Sequence, residues 1–357
     1  MRIGIDAREL CGHVTGVGRY LRGLLHEWAL DERVRRHEFV LYAPQAPEVG
    51  LDRSQFAVRI VPGRSSTWWE QIRLPAAASR DGLDLFFAPA YTAPIRLSVP
   101  IVVTIHDVSF LAHPEWFRRR EGLRRRILTR RTAAKARAII TVSAFSRLAL
   151  LNLLRLPPER VHVIAQGVTA PTVTRGGQRG PRVLFVGSIF NRRHVPDLIR
   201  AFARVAVRHP GAVLDLVGDD RSHPREDLEQ IIHAEALDER VRWHRYVTDE
   251  QLDSFYGQAS VFAFLSEYEG FGLTPLEALS AGVVPVLLDT PVARESCGQA
   301  ALYVPPGDIE QTAEALEQAL TNEGLRSRVL SYAPEVLAQY RWPAAARKTM
   351  DLLERTR

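Results

Sequence analysis

Thirteen short apolar runs, each set off by helical or turn-forming residues, constrain the fold of this chain more than any other feature. MRIGID (1–6), EFVLYA (38–43), VRIVP (58–62), LDLFFAP (83–89), PIVVTIHD (100–107), AIITVS (138–143) and VHVIAQG (161–167) form a first set. RVLFVGS (182–188), AVLDLVG (212–218), VRWHRYV (241–247), SVFAFLS (260–266), VVPVLLD (283–289) and ALYVP (301–305) form a second. Their length and β-branched content read as strands, whereas segments such as 17–30, 118–136 and 144–155 carry helical spacing. Parallel strands need long crossovers between them, so regular alternation predicts parallel sheets with helices on both faces. The fold class expected is α/β.

The alternation breaks once, at TAPTVTRGGQRGPR (169–182), which has no periodicity and reads as a linker. At 357 residues the chain has the length of two domains. The boundaries expected are 1–170 and 182–339, with 171–181 between them. Two facing Rossmann-like, doubly wound domains with a cleft between them would result. Ligands in such sheets bind outside the strand carboxyl ends, which directs attention to the loops that follow the strands.

The stretch EGFGLTPLEAL (269–279) is the most informative of these loops. It places Glu269 eight residues before Glu277, across a glycine-broken loop and a helix start. Thr274 is a good N-cap, Pro275 suits the first helical position, and Glu277 falls three residues after the cap. Such a helix start offers free N–H groups and a positive dipole end to an anion. Thr274 and Glu277 also fit a plain capping box, which leaves Glu269 unexplained.

Other loops add candidates. Strand 182–188 ends at Ser188, a donor-side candidate, and is followed by Arg192 and Arg193, able to clamp a diphosphate or to form a basic surface turn. Gly16 and Gly18 precede a helix and suit close backbone approach, but the dinucleotide fingerprint is not met. His106 and Asp107 end strand 100–107, where a functional pair and a structural histidine beside a turn-capping aspartate are equally open readings.

Composition excludes several classes. No run of about 18 apolar residues suggests a spanning helix, and MRIGIDAREL lacks the apolar centre of a signal peptide. Cys11 and Cys297 form no metal spacing and no disulfide framework. There is no D-x-D, HExxH or P-loop, so no metal or cofactor is expected and the default is a cytoplasmic enzyme. The net charge of +6 is concentrated in residues 117–137, with nine arginines and one lysine against one glutamate. The run Arg118–Arg137 reads as a solvated helix face or as a patch for an anionic membrane surface, peripheral at the inner face of the plasma membrane. Nucleic acid is not expected, because no single-strand module or helix-turn-helix accompanies the charge.

Taken together, these segments resemble the retaining GT-B glycosyltransferases of family 4. The resemblance runs nearly end to end, through IDAREL..TGVGRY, WWEQIRLP (68–75), VVTIHDVSFLAHPEWF (102–117), ITVSAFSR (140–147), VGSIFNRRHVPDLIRAF (186–202), SEYEGFGLTPLEALSAGVVPV (266–286) and RESCGQAALYVPPGD (294–308). It implies a nucleotide-diphosphate-sugar donor, a glycan or lipid-linked acceptor, and no essential metal. Glu269 would stand near the donor sugar and Glu277 would accept the ribose hydroxyls. Phe271, Gly272, Leu273 and Thr274 would offer backbone N–H groups, Gly16 would approach the diphosphate, and His106 would line the reaction centre. Tyr91 and Asp107, with Trp68 and Trp69 nearby, are candidates on the acceptor side, and the segment 340–357 would cross back onto the N-terminal domain. The chain departs from the family pattern at Arg193, where a lysine is usual, and at Ser188, where many relatives carry arginine. A glycoside phosphorylase, an epimerase of the same architecture or an inactive nucleotide-sugar-binding protein remain alternatives.

Overall fold

The computed structural model describes all residues except 13–15, 48–49, 51, 53, 65 and 173–179. The chain divides into two compact units, Met1–Pro114 with Arg119–Gly167 and Tyr340–Arg357, and Glu115–Arg118 with Val168–Gln339. Most of the expected linker, 173–179, lies outside the described residues.

The first unit holds β1 (Arg2–Asp6), β2 (Glu38–Ala43), β3 (Phe56–Ile60), β4 (Leu85–Ala88), β5 (Ile101–Thr104), β6 (Ala138–Thr141) and β7 (Val161–Val163). They pair in parallel in the order β3-β2-β1-β4-β5-β6-β7. The second unit holds β8 (Arg182–Val186), β9 (Val213–Val217), β10 (Val241–His244), β11 (Val261–Phe264), β12 (Val284–Leu288) and β13 (Leu302–Val304). These also pair in parallel, in the order β10-β9-β8-β11-β12-β13. Each unit is therefore a doubly wound α/β domain of the expected class, and each reverses its winding beside its first strand.

Inner strands such as β4, β5 and β11 are buried at every position, as parallel sheets covered on both faces require. In the first core, Trp28 stacks on Phe39 with ring centroids 5.5 Å apart, and Phe39 stacks on Phe56 at 4.8 Å. The indole N–H of Trp28 donates to the Ala346 carbonyl at 3.0 Å. That bond ties the final helix, Trp342–Thr356, to the helix Gly16–Leu30. The segment 340–357 thus belongs to the first unit.

One boundary differs from expectation, since the continuous domain 1–170 is interrupted at Glu115–Arg118. Trp116 meets Tyr268 edge-on with ring centroids 6.2 Å apart and lies under the Arg192 guanidinium at 6.0 Å. Aromatic and cation–π contacts of this kind outweigh the local chain direction of a four-residue segment.

Docking of the last helix leaves no room for a side chain at Gly23 or Gly167, both of which face Trp342. A Cβ on Gly167 would overlap the indole and the backbone nitrogen of Trp342. Gly167→Ala should therefore cost about 1–3 kcal/mol, the usual range for overpacking. Denaturant unfolding checks this against Gly180→Ala, where a Cβ meets nothing within 4 Å and no loss is expected.

Candidate functional site

In the second unit the winding reverses between β8 and β11, and the loops leaving these two strands meet. β8 ends at Val186 and is followed by Gly187 and Ser188. A short turn, Asn191–Arg193, then leads through His194, in left-handed backbone with φ 46°, into the helix Val195–Arg208. This turn aims Arg193 back over the strand end. Its Nη1 donates to the Ser188 carbonyl at 2.7 Å, and its Nε and Nη2 reach Glu269 Oε1 at 2.9 and 2.8 Å. Room for the guanidinium exists because Gly187 has no side chain, since a Cβ there would strike Nη1. The aromatic face of Phe264 lies beneath, 4.8 Å from the guanidinium carbon.

Glu269 arrives from the loop after β11. Its Oε1 also accepts the Ser266 hydroxyl at 2.9 Å, so that oxygen collects three donors. Oε2 has no hydrogen-bond partner among the described residues. Both partners of the pair are mostly enclosed, with side chains 13% and 19% exposed. Arg192 behaves differently: its Nε donates to the Tyr268 carbonyl at 3.2 Å, and its guanidinium lies 4.3 Å from the Phe190 ring. Ser188 contributes its carbonyl here rather than its hydroxyl.

The helix start corrects the expected capping. The helix runs Leu273–Ser280, and its N-cap is Gly272 at φ 97°, with no side-chain cap bond. Thr274 lies inside the helix. Burial of Phe271 and the left-handed turn at Gly272 begin the helix earlier than Thr274 and Pro275 alone suggest. Glu277 then projects inward, where its Oε2 accepts the Tyr256 hydroxyl at 3.0 Å. It is 6% exposed, so the capping box is replaced by a buried carboxylate held from a neighbouring helix.

In the first unit the carboxyl ends of β4 and β5 bring Tyr91, His106 and Asp107 together. Tyr91 is in left-handed backbone at φ 54°, and its N–H donates to the Thr104 carbonyl at 2.8 Å. Its hydroxyl donates to Asp107 Oδ2 at 2.8 Å, while Asp107 Oδ1 accepts the Ser109 N–H at 2.8 Å and hydroxyl at 2.6 Å. Asp107 thus caps the turn that follows, one of the two readings left open above. His106 Nε2 is 2.8 Å from the Pro89 carbonyl, which can only accept, so Nε2 carries the proton and Nδ1 is the basic nitrogen. Burial holds His106 below the ordinary histidine range, so it is neutral at pH 7. Tyr20 packs edge-on against it at 5.0 Å. Gly16 and Gly18 open the helix Gly16–Leu30, and Thr15 of the glycine segment lies outside the described residues.

A model of the glycosyl transferases group 1 matches residues 175–336, and a model of glycosyltransferase family 4 matches residues 14–170. The chain belongs to this type of glycosyltransferase. It is 24% identical to the O-antigen chain mannosyltransferase B of Escherichia coli over 364 residues, spanning 95% of both proteins. It is 29% identical to the GDP-mannose:cellobiosyl-diphosphopolyprenol alpha-mannosyltransferase of Xanthomonas campestris, over 59% of this chain and 55% of that one. Among solved structures, a sucrose-phosphate synthase from Thermosynechococcus elongatus superposes with a TM-score of 0.80 at 19% identity, covering 99% and 98% of the two chains. HepE of Anabaena, solved with UDP and glucose, gives 0.77 at 18% identity, over 99% and 100%. The fold of the glycosyltransferase is thereby that of GT-B enzymes.

Sequence reasoning did not single out Gly187, Ser266 or Tyr256, which position the enzyme's Arg193, Glu269 and Glu277. A glycine closing both β8 and β9, in VGS and VGD, was the available signal. A Cβ on Gly218 would overlap the Gly187 carbonyl, so these two strand ends can close only as glycines. The corrected cap generates a test. Thr274→Ala should cost less than about 0.5 kcal/mol, below the ~0.5–2 kcal/mol typical of a lost N-cap. Gly272→Ala should cost about 1–3 kcal/mol through left-handed strain, aggravated by a Cβ only 3.2 Å from Ser296 Oγ. Equilibrium unfolding of the two variants in denaturant decides between the caps.

Proposed function

We propose that this glycosyltransferase moves a hexose from a nucleoside-diphosphate sugar to a glycan or lipid-linked acceptor, with retention and without an essential metal. One observation carries the reading. Arg193 and Glu269 are joined at the switch point of the second sheet, beside the start of the helix Leu273–Ser280. A guanidinium and a helix start offer charge-assisted donors to a diphosphate, and an adjacent carboxylate with one uncommitted oxygen suits a sugar hydroxyl.

In this reading the second unit takes the donor. Arg193, assisted by Arg192, Ser188 and the N–H groups near Phe271, Gly272, Leu273 and Thr274, meets the diphosphate. Glu269 meets the sugar and Glu277 the ribose, with Tyr256 already orienting its carboxylate. Gly16 and Gly18 give the diphosphate close backbone approach, while Tyr91, His106 and Asp107 serve the acceptor side. The acceptor hydroxyl bonds to the anomeric carbon as the bond from that carbon to the β-phosphate oxygen breaks, and that oxygen takes the hydroxyl proton. The protein's share is positioning, together with stabilising charge on the leaving diphosphate.

The names of the two sequence relatives direct a donor screen to GDP-mannose first. Among GDP, UDP, dTDP and ADP sugars, the true donor should stabilise the fold by about 2.7 kcal/mol at a hundredfold excess over its dissociation constant. Glu277→Ala should lose most of that shift. Arg193→Ala should lower turnover at saturating donor by about 10²–10³, the usual loss of one donor to a developing negative charge. A thermal-shift series indifferent to every nucleotide sugar, or an Arg193→Ala enzyme of normal turnover, would refute the reading.

We also propose that the lipid-linked acceptor is met at an anionic membrane surface. No helix among the described residues is long and apolar enough to cross a membrane. The helix Arg119–Lys135 buries mainly small or polar residues, Gly122, Thr129, Thr132 and Ala133, and leaves Leu123 52% and Ile127 40% exposed. Arg124 reaches Thr67 at 2.6 Å, next to Trp68, which is 59% exposed. Apolar side chains ringed by arginines suit the headgroup boundary of anionic lipid. Binding to phosphatidylglycerol vesicles at low salt should weaken at least tenfold in a Leu123→Ser/Ile127→Ser variant. Equal binding to zwitterionic vesicles, or no binding to either, would remove this part of the reading.

A further inference from the structure

Two of the segments singled out in the sequence, IDAREL and WWEQIRLP, find no place in the reaction above, yet the fold brings them together. Asp6 is the last residue of β1, and Glu70 lies on a short π-helical stretch, Trp69–Arg73. Between them stands Arg8, whose Nη2 is 2.6 Å from Asp6 Oδ2 and 2.5 Å from Glu70 Oε1. All three side chains are enclosed, at 4% exposed for Asp6, 10% for Arg8 and 2% for Glu70. Trp69 lies against the guanidinium at 5.5 Å, and Arg8 Nε is buried with no hydrogen-bond partner among the described residues.

Stability does not account for such a cluster. One buried guanidinium between two carboxylates pays desolvation for three charges, and apolar replacements of buried ion groups are often neutral or better. Burial, helped by the neighbouring Glu70, pushes the Asp6 carboxyl up to about 6, even with Arg8 beside it. What the cluster does supply is direction. Glu70 Oε1 also accepts the Thr92 hydroxyl at 2.5 Å. The neighbouring Gln71 donates to the Ala93 carbonyl at 2.9 Å and accepts the Ile95 N–H at 3.1 Å. The loop leaving β4 is therefore pinned from Thr92 onward by two consecutive residues of one helical turn.

Upstream of that pin the same loop makes the contacts that orient the acceptor-side residues. Pro89 supplies the carbonyl that fixes the His106 tautomer, and Tyr91 holds Asp107 from a left-handed backbone. A tyrosine in that backbone region is strained and persists only where its surroundings over-determine it.

We propose that Glu70, oriented by Arg8, which Asp6 holds in turn, is the positioning residue for the Pro89–Thr92 turn, and through it for His106 and the Tyr91–Asp107 pair. The catalytic consequence rests on the acceptor-side role given to those residues above; the positioning itself does not. Arg8, itself held by Asp6, keeps the Glu70 carboxyl immobile, so that it is a fixed anchor for the Thr92 hydroxyl.

Thr92→Val tests this with little change in shape, because it deletes only the hydroxyl that Glu70 holds. Acceptor kcat/KM should fall about 10- to 100-fold, as a small misplacement of reacting groups does, while the donor-induced thermal shift stays unchanged. Thr92→Ser, which restores the hydroxyl, should recover acceptor kcat/KM to within about threefold of the parent. Glu70→Gln should reproduce the Thr92→Val defect. A readout independent of turnover is the ¹⁵N spectrum of the His106 ring, a pure Nε2–H tautomer in the parent and a tautomer mixture in Thr92→Val. Unchanged His106 tautomer in Thr92→Val overturns the positioning role whether or not transfer is seen. A parent protein that transfers nothing, with the tautomer change present, overturns the transfer reading and leaves the positioning role standing.

Discussion

Parallel strands can be joined only through crossovers, and in both sheets the crossovers change direction beside the first strand. β1 is followed outward by β2 and β3 on one side and by β4 to β7 on the other; β8 is flanked in the same manner by β9 and β11. Successive connections therefore leave on opposite faces, and the loops at that point part instead of covering one another. The residues of the two candidate sites lie at or near such openings. Arg193 and Glu269 follow β8 and β11, while Tyr91 and His106 follow β4 and β5. The connectivity determines where chemistry is placed before any side chain is chosen.

Backbone proximity decides what can occupy the opening in the second unit. A Cβ on Gly218 would overlap the Gly187 carbonyl, and the space over Gly187 itself is filled by the Arg193 guanidinium. Arginine stands at position 193, where the family resemblance leads to an expectation of lysine, and the geometry gives the guanidinium a use. A guanidinium has five N–H donors in a fixed plane, against three on an ammonium. Arg193 spreads them over Ser188 and Glu269, reaching Glu269 with two donors of one plane. The pairing orients Glu269 through one oxygen only.

Legibility in the sequence followed the range of the signal. Strand runs were readable because burial on both faces leaves an unbroken apolar string, as in VVTI and VFAF. The third strand was displaced by two residues, Phe56–Ile60 against 58–62, because after Phe56 it is exposed at every position and offers neither alternation nor a continuous run. The helix start was misread for a related reason. Thr274 and Pro275 carry good local propensities, but Gly272 in left-handed backbone and the burial of Phe271 override them. Glu269, His106 and Arg193 stood out as residue types at strand ends, whereas their partners did not. Arg193 and Glu269 are 76 residues apart, and Arg8 and Glu70 are 62 apart, distances over which no periodic pattern carries information.

Both openings contain an arginine paired with glutamate, and the difference in their enclosure separates their work. In the first unit the side chains of Asp6, Arg8 and Glu70 are at most 10% exposed, and both oxygens of Glu70 are engaged, by Arg8 and Thr92 on one side and by Gln71 on the other. A carboxylate held on both oxygens and 2% exposed is closed to a ligand, so its effect must pass through the residues it holds. In the second unit Arg193 and Glu269 are 13% and 19% exposed, and Oε2 of Glu269 has no partner among the described residues. That carboxylate can still accept a hydroxyl without giving up the contacts that orient it. The same ion-pair chemistry thus fixes backbone where it is closed on every side and recognises ligand where one oxygen stays open.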